Sequence, residues 1–330
     1  MLSKPASRRS TALNIDTVVA PAAMASVGAI LVAFLVDHFL GEPPARLHPV
    51  VWMGKVLSST GAPWEDSGPA AAYLRGAGLW LLGATASAAA AWVATAAIRL
   101  SSGESVAGIL IQAVAVGVLL KPLLAWRMLH DEVAKVERAL ESGLESGRAQ
   151  LSRLVSRDTA HLSVAEVRES ALESLAENLN DSLVAPLFWF GVAGLPGAAL
   201  YRFANTADAM WGYRGRWEWA GKWAARADDV LSYIPARLTA ALLAVAAWHS
   251  PARLGGIARI TPSPNGGWPM GMLALALEVR LGKPGVYVLN SSAPAPSRLH
   301  LWRGLGMCRR AAWGSLLLTA TTILVLASWR

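Results

Sequence analysis

Four stretches of this chain are apolar for long enough to cross a bilayer, and clusters of polar residues fall at their ends. A membrane helix needs about 20 predominantly apolar residues. Val18 to Val36, Gly76 to Ile98, Val106 to Trp126 and Ala311 to Ser328 meet that need. The first follows a basic tail over residues 1–17, with Lys4, Arg8 and Arg9, the charge pattern of a secretory signal. The polar residues directly behind it group with the other polar clusters, so an uncleaved first span is expected. Two further apolar stretches leave their path open. Leu183 to Leu200 is interrupted by Gly194-Leu195-Pro196-Gly197, and Val230 to Trp248 carries Pro235 and Arg237. Each either spans or re-enters as a helix covered by other protein.

Between the third span and Leu183 the period becomes that of water-facing helices. Met128 to Leu151 places Leu129, Val133, Val136, Leu140 and Leu144 on one face. Ser163 with Glu166 three residues on is a capping box, which predicts a helix from Val164 to Leu179. Residues 250–297 are rich in Pro and Gly and read as loop around one short helix, about Met270 to Arg280. The expected fold is all-α, one domain over residues 1–330. It is a polytopic integral membrane protein with about four to six membrane helices, a helical polar region over 127–182 and re-entrant segments where apolar stretches break.

Composition agrees and removes other classes. Of 330 residues 54% are hydrophobic and 16% charged, against about 25% charged in soluble domains. Disordered chains have the opposite bias. Cys308 is the single cysteine, which rules out an internal disulfide and zinc sites built on CxxC pairs. The net charge of +8 comes mainly from Arg spread over several loops. In a membrane protein that pattern marks a cytoplasmic face or anionic small molecules rather than nucleic acid.

Five polar clusters carry the chemistry. Asp37-His38, Glu42, Arg46 and His48 crowd the end of the first span. Glu173, Glu177 and Asp181 recur every fourth residue, so three carboxylates share a helical face, with Arg157, Asp158 and Asn178 nearby. Such a row is either a solvated acidic face or a platform for Mg²⁺, which takes carboxylate oxygens. Asn205 and Asp208 sit on one face ahead of Arg214, and Asp228-Asp229 precede Arg237. Arg groups at loops are often positive-inside charge, and as a group they also suit phosphates bidentately. Ser263-Pro264-Asn265-Gly266-Gly267 is a tight loop able to present backbone N–H groups. The common nucleotide loops G-x-x-x-x-G-K-[ST] and G-x-G-x-x-G are absent, as is the G-x-S-x-G elbow.

In order and spacing, these clusters resemble the CobD/CbiB family, adenosylcobinamide-phosphate synthase. The segments that carry the resemblance are DHFLGEPPARLHPVVWMG (37–54), SRDTAHL (156–162), ALESLAENLNDSLVAPLF (171–188), ALYRFANTADAMWGYR (199–214), ARADDVLSYIPARLTA (225–240) and SPNGGWPM (263–270). The chain departs from the family habit at Thr261, Met270 and Ser232, where His, an acid and Asn are usual, and at Trp211 and Trp217, which are bulkier.

The resemblance implies an ATP-dependent ligase with Mg²⁺, joining an aminopropanol or its phosphate to the propionate carboxylate of adenosylcobyric acid, a corrinoid. It implies catalytic roles for His48, Asp158, Glu173, Glu177 and Asp208. Arg46, Arg157, Asn178, Asn205, Arg214, Arg237, Ser263 and Asn265 would bind substrate and phosphates. Glu173, Glu177, Asp181 and Asp229 would hold metal. Its partners would be these substrates, the lipid bilayer of the inner cell membrane, and either a second copy or other late cobalamin-assembly proteins, with no nucleic acid. ATP puts the polar loops on the cytoplasmic side, and simple alternation of spans cannot bring all five clusters there unless an ambiguous stretch is re-entrant. The competing readings are a Mg²⁺-dependent intramembrane prenyltransferase, which also pairs acidic helical segments, and a non-catalytic corrinoid carrier or scaffold.

Overall fold

A computed structural model describes residues 21–60, 68–212 and 218–329. Its helices are α1 (Pro21–Leu40), α2 (Pro49–Thr60), α3 (Pro69–Ser102), α4 (Val106–Leu120), α5 (Trp126–Ser142), α6 (Leu144–Leu151), α7 (Val164–Leu179), α8 (Ala185–Trp211), α9 (Lys222–Leu231), α10 (Tyr233–Ala247), α11 (Leu254–Ala258), α12 (Gly267–Leu277) and α13 (Arg298–Ser328). Among the described residues six helical stretches are long and apolar enough to cross a membrane: Pro21–Leu40, Pro69–Ser102, Val106–Ser142, Val164–Trp211, Lys222–Ala247 and Arg298–Ser328. The protein is therefore an all-α polytopic membrane protein, at the upper end of the expected count.

The first apolar helices pack where small residues let backbones approach. A side chain at Gly28 would strike Ala113, and one at Gly117 would strike Ala29 and Val32, so α1 and α4 lie close together. Pro122 closes α4 in a short 3₁₀ turn, and the chain re-enters a helix at Trp126. The helix expected over Met128 to Leu151 is two helices, because Gly143 adopts φ 136° between α5 and α6. The capping box at Ser163 and Glu166 is formed, and α7 runs over the predicted Val164 to Leu179.

The region 250–297 is more ordered than its Pro and Gly content implies. It contains α11 and α12, and the short helix begins at Gly267 rather than Met270. Beyond it β1 (Leu281–Lys283) pairs antiparallel with β2 (Tyr287–Leu289) around a turn with Gly285 at φ 71°. This hairpin, unforeseen in an all-α reading, packs on α7 and places Lys283 and Tyr287 over its acidic row.

The decisive feature lies in the broken apolar stretch. Ala193 and Gly194 leave helical geometry, with Gly194 at φ 65° and ψ −156°, although helix runs on either side. Trp189 meets Gly197 across the break so tightly that a Cβ at Gly197 would collide with the Trp189 carbonyl. On a straight helix Asp181 and Arg202 would be about 31 Å apart. Instead the Arg202 guanidinium donates to the Asp181 carbonyl at 3.2 Å. The segment from Asp181 to Trp211 is thus a helical hairpin. Its incoming arm, ending near Val192, is about 16 Å long, and the tip at Ala193–Pro196 lies beside Arg99 and Leu100 of α3 and Ala22 of α1, so the chain returns to the end of the bundle it left.

Candidate active-site cleft

The hairpin gathers the polar clusters at one end of the bundle. After α7 the helix widens into a π turn over Asn180–Val184, a feature common at functional sites. The turn rotates Asn180 and Asp181 inward. The Asn180 amide donates to Asp181 Oδ1 at 2.7 Å, while its carbonyl oxygen accepts from Thr239 at 3.0 Å on α10. From the returning arm, the Tyr201 hydroxyl lies 3.5 Å from Asp181 Oδ1 and 3.0 Å from the buried Ser232 hydroxyl. Asn205 donates to Asp228 at 3.4 Å. Asp181, Asp208, Asp228 and Asp229 lie close enough for their charges to interact, with Arg202 among them.

A second group lines the same cleft from the α7 side. Arg157 reaches Glu173 Oε2 at 3.0 Å and the Ser170 hydroxyl at 3.1 Å. Glu173 is buried, and its other oxygen has no hydrogen-bond partner. Glu177 is surrounded by protein yet keeps accessible surface, as a side chain at the bottom of a cleft does. A Cβ at Gly266 would stand 3.2 Å from its Oε1, so the Ser263–Gly266 loop forms the facing wall. The Ser263 hydroxyl turns that loop by accepting from the N–H groups of Asn265 and Gly266, each at 3.1 Å. Asn265 donates to the Asp229 carbonyl at 2.8 Å and accepts from Arg237 at 2.8 Å. Arg237 is held over the rings of Tyr233 and Trp268 at 3.6 and 4.6 Å.

The α1 end supplies a third group. Lys121 is almost fully buried and pairs with Asp37 at 3.2 Å and Glu42 at 2.7 Å. Glu42 also accepts from His48 Nε2 at 3.1 Å, and the Arg202 charge reaches it. Burial alone would raise the Glu42 carboxyl, but hydrogen bonds from His48 and Lys121 outweigh it and hold the group below its ordinary range. Burial beside the acidic row pushes the Tyr287 phenol well up, so it stays a neutral donor.

Of the predicted residues, the structure brings Glu173, Glu177, Asp181, Asn205, Asp208, Asp229, Arg157, Arg237, Ser263 and Asn265 to this cleft, with His48 at its edge through Glu42. Three do not join it. Asp158 is exposed, and its carboxylate accepts from the N–H of Ala160 at 2.9 Å, closing a local turn. The Asn178 amide is spent on the Ser174 carbonyl at 3.0 Å. Arg46 is exposed, and no side-chain partner stands near it among the described residues. Arg214 lies outside the described residues.

Sequence reading passed over Lys121, Arg202, Tyr201 and Tyr287. A lysine ending an apolar span was the available signal for Lys121; nothing local distinguishes the others. Thr261 closes its loop by donating to the Ser263 carbonyl at 2.9 Å, and the buried Met270 packs behind Gly266 with the Tyr287 hydroxyl 3.8 Å from its sulfur.

Among the described residues no group of three or more His, Cys, Asp or Glu side chains converges on a point where a metal could sit. Mg²⁺ at phosphate sites needs only one or two carboxylates, the rest coming from phosphate and water. The unpartnered Glu173 oxygen and the accessible Glu177 fit that arrangement; a preformed protein cage does not.

The chain matches the CobD/CbiB protein family over residues 30–300. It is 40% identical over 307 residues to the cobalamin biosynthesis protein CobD of Rhodobacter capsulatus, covering 86% of this chain and 93% of that one. It is 39% identical over 275 residues to a probable cobalamin biosynthesis protein CobD of Methanothermobacter thermautotrophicus, covering 81% and 88%. A CobD of Brucella suis is 40% identical over 271 residues, covering 77% and 81%. No solved structure matches. With the family matched across most of its length, and with the segments that build the cleft lying inside the match, the chain belongs to the CobD/CbiB family of cobalamin biosynthesis proteins.

Proposed function

We propose that the cleft catalyses ATP-dependent amide formation between the propionate carboxylate of adenosylcobyric acid and an aminopropanol or its phosphate. The observation that carries this reading is the meeting of cations and carboxylates in one water-accessible cleft. Arg157, Arg202 and Arg237 stand within it beside Glu177, Asp208, Asp228 and Asp229. A carboxylate is a poor electrophile. Its oxygen attacks the γ-phosphorus of ATP, ADP leaves, and an acyl phosphate results. The amine nitrogen then attacks the acyl carbon, the C–O bond to phosphate breaks, and the amine loses a proton.

The chain's side chains suit these steps. Arg157 and Arg237, each fixed by a hydrogen bond, would hold phosphate oxygens. Glu177 and Glu173 would face Mg²⁺ arriving with ATP; that ion would neutralise charge on the transferring phosphoryl group. His48, oriented by Glu42, or Asp208 would take the amine proton. ATP places this end of the bundle at the cytoplasmic face of the inner membrane.

Mass spectrometry on the purified protein with adenosylcobyric acid, aminopropanol phosphate and Mg-ATP tests the reading. An adenosylcobinamide phosphate peak that disappears when any component is omitted supports it. Corrinoid binding with no ATP-dependent product would replace it with the carrier reading.

A further inference from the structure

An apolar groove of 400 Å³ runs beside the cleft, between α2, α3 and the returning arm of the hairpin. Its α3 wall is a run of small side chains from Gly83 through Ala90 to Ala94, a single helical face about 16 Å long. Leu195 and Phe203 form the opposite wall. Its α2 side is a lightly buried helix: Leu57 is the one residue that α2 buries. It also shares walls with the cleft, since Phe203 follows Arg202 and Pro49, which lines it, follows His48.

Length, depth and mouth together specify an occupant. The groove lies along α3, itself a membrane-spanning candidate, and its length matches one leaflet's share of a hydrocarbon core about 30 Å thick. Trp52 lines the groove, and its indole N–H donates to the Arg46 carbonyl at 2.9 Å. The Arg46 backbone is thereby held beside the groove, and its side chain is exposed and without a side-chain partner among the described residues. An amphipathic tryptophan in the groove wall, bonded to the backbone of an exposed arginine, sets an apolar slot within one side chain's reach of a cation, the two chemistries of a phospholipid.

We propose that this groove binds one acyl chain of a bilayer phospholipid whose phosphate is held by Arg46, with an anionic headgroup preferred. The lipid braces α2 against α3, and with it the His48 edge of the cleft. The site is independent of the ligase assignment, because its readout is lipid retention rather than turnover.

Native mass spectrometry of the full chain in mild detergent, with phosphatidylglycerol or phosphatidylcholine added, reads this directly. The expected result is one retained phospholipid and a preference of about fivefold for phosphatidylglycerol, which Arg46→Gln removes. Filling the groove with Ala86→Leu and Ala90→Leu should release the lipid. Retention equal to the parent by that folded variant, or no retention by the parent, overturns the proposal. A second measurement needs no filled groove. Phosphatidylglycerol brominated on its chains should quench the fluorescence difference between the parent and Trp52→Phe; an unquenched difference also overturns it.

Discussion

Arg202 donates to the backbone carbonyl of Asp181 at 3.2 Å, although 21 positions separate them in a stretch that is helical almost throughout. That contact exists because the chain reverses at Ala193–Gly194. It puts an acid from the incoming arm and a cation from the returning arm into one cleft. The site depends on the reversal more than on any single cluster of residues.

The hairpin should therefore be sensitive at Gly197. A larger side chain there meets the Trp189 carbonyl, whereas Gly78 has open space around its Cα. Gly197→Val is expected to destabilise by about 1–3 kcal/mol, the usual cost of overpacking, and Gly78→Val to stay within about 1 kcal/mol. Thermal melting in detergent compares them; equal effects would remove the hairpin contact as the cause.

The apolar α4 separates two exposed loops. The α3–α4 turn, containing the exposed Glu104, and the loop containing the exposed Asp158 lie at opposite ends of α4 and its continuation. Cysteines introduced at Glu104 and Asp158 should label from opposite sides of the membrane. The native Cys308 is fully buried and adds no background. Labelling of both from one side would contradict this arrangement.

Within the cleft, Glu177→Gln and Asp208→Asn should each lower the ATP-dependent rate by about 100-fold or more, the range seen when a preorganised charged group at a reacting centre is removed. Asp158→Asn, outside the cleft, should leave the rate within a few-fold. Turnover with unchanged melting temperature is the measurement. Full activity in Glu177→Gln would remove that carboxylate from the chemistry.

The buried Lys121 predicts a stability effect. Lys121→Met leaves Asp37 and Glu42 facing one another without their cation, at an expected cost of about 3–5 kcal/mol. Adding Asp37→Asn and Glu42→Gln to the same chain should restore much of the loss. A triple variant no more stable than the single one would argue against charge pairing as the source.

Glu42 gives that network a defined pH dependence. Its folded-state carboxyl titrates below the ordinary 4.5 because His48 and Lys121 hydrogen-bond its charged form. A depressed acid contributes stability fully above its unfolded value and loses it as pH falls through the folded one. The gap in melting temperature between the parent and Glu42→Gln should hold from neutral pH to about 4.5 and close below it. A gap that widens on acidification would reverse the assignment.

Much of this molecule was legible along the chain because apolar length and helical period are local properties. α7 begins at its capping box, and Glu173, Glu177 and Asp181 share a face because their spacing makes them do so. The all-α membrane class followed from span lengths alone, and the family from the order of the polar segments. Other features depended on what packs against what. Gly194 and Pro196 marked a break in the apolar stretch, but not that the chain would fold back through Trp189 and Gly197. Arg46 and His48 are two positions apart, yet Glu42 draws His48 to the cleft while the Arg46 side chain stays exposed. Lys121 reads as an ordinary span-ending lysine until Asp37 of α1 and Glu42 of the loop behind it close on it. Hydrophobic period sets where each helix starts, stops and hides a face. The partners a polar side chain meets across a bundle come from contacts distant in sequence, and only the packed structure supplies those.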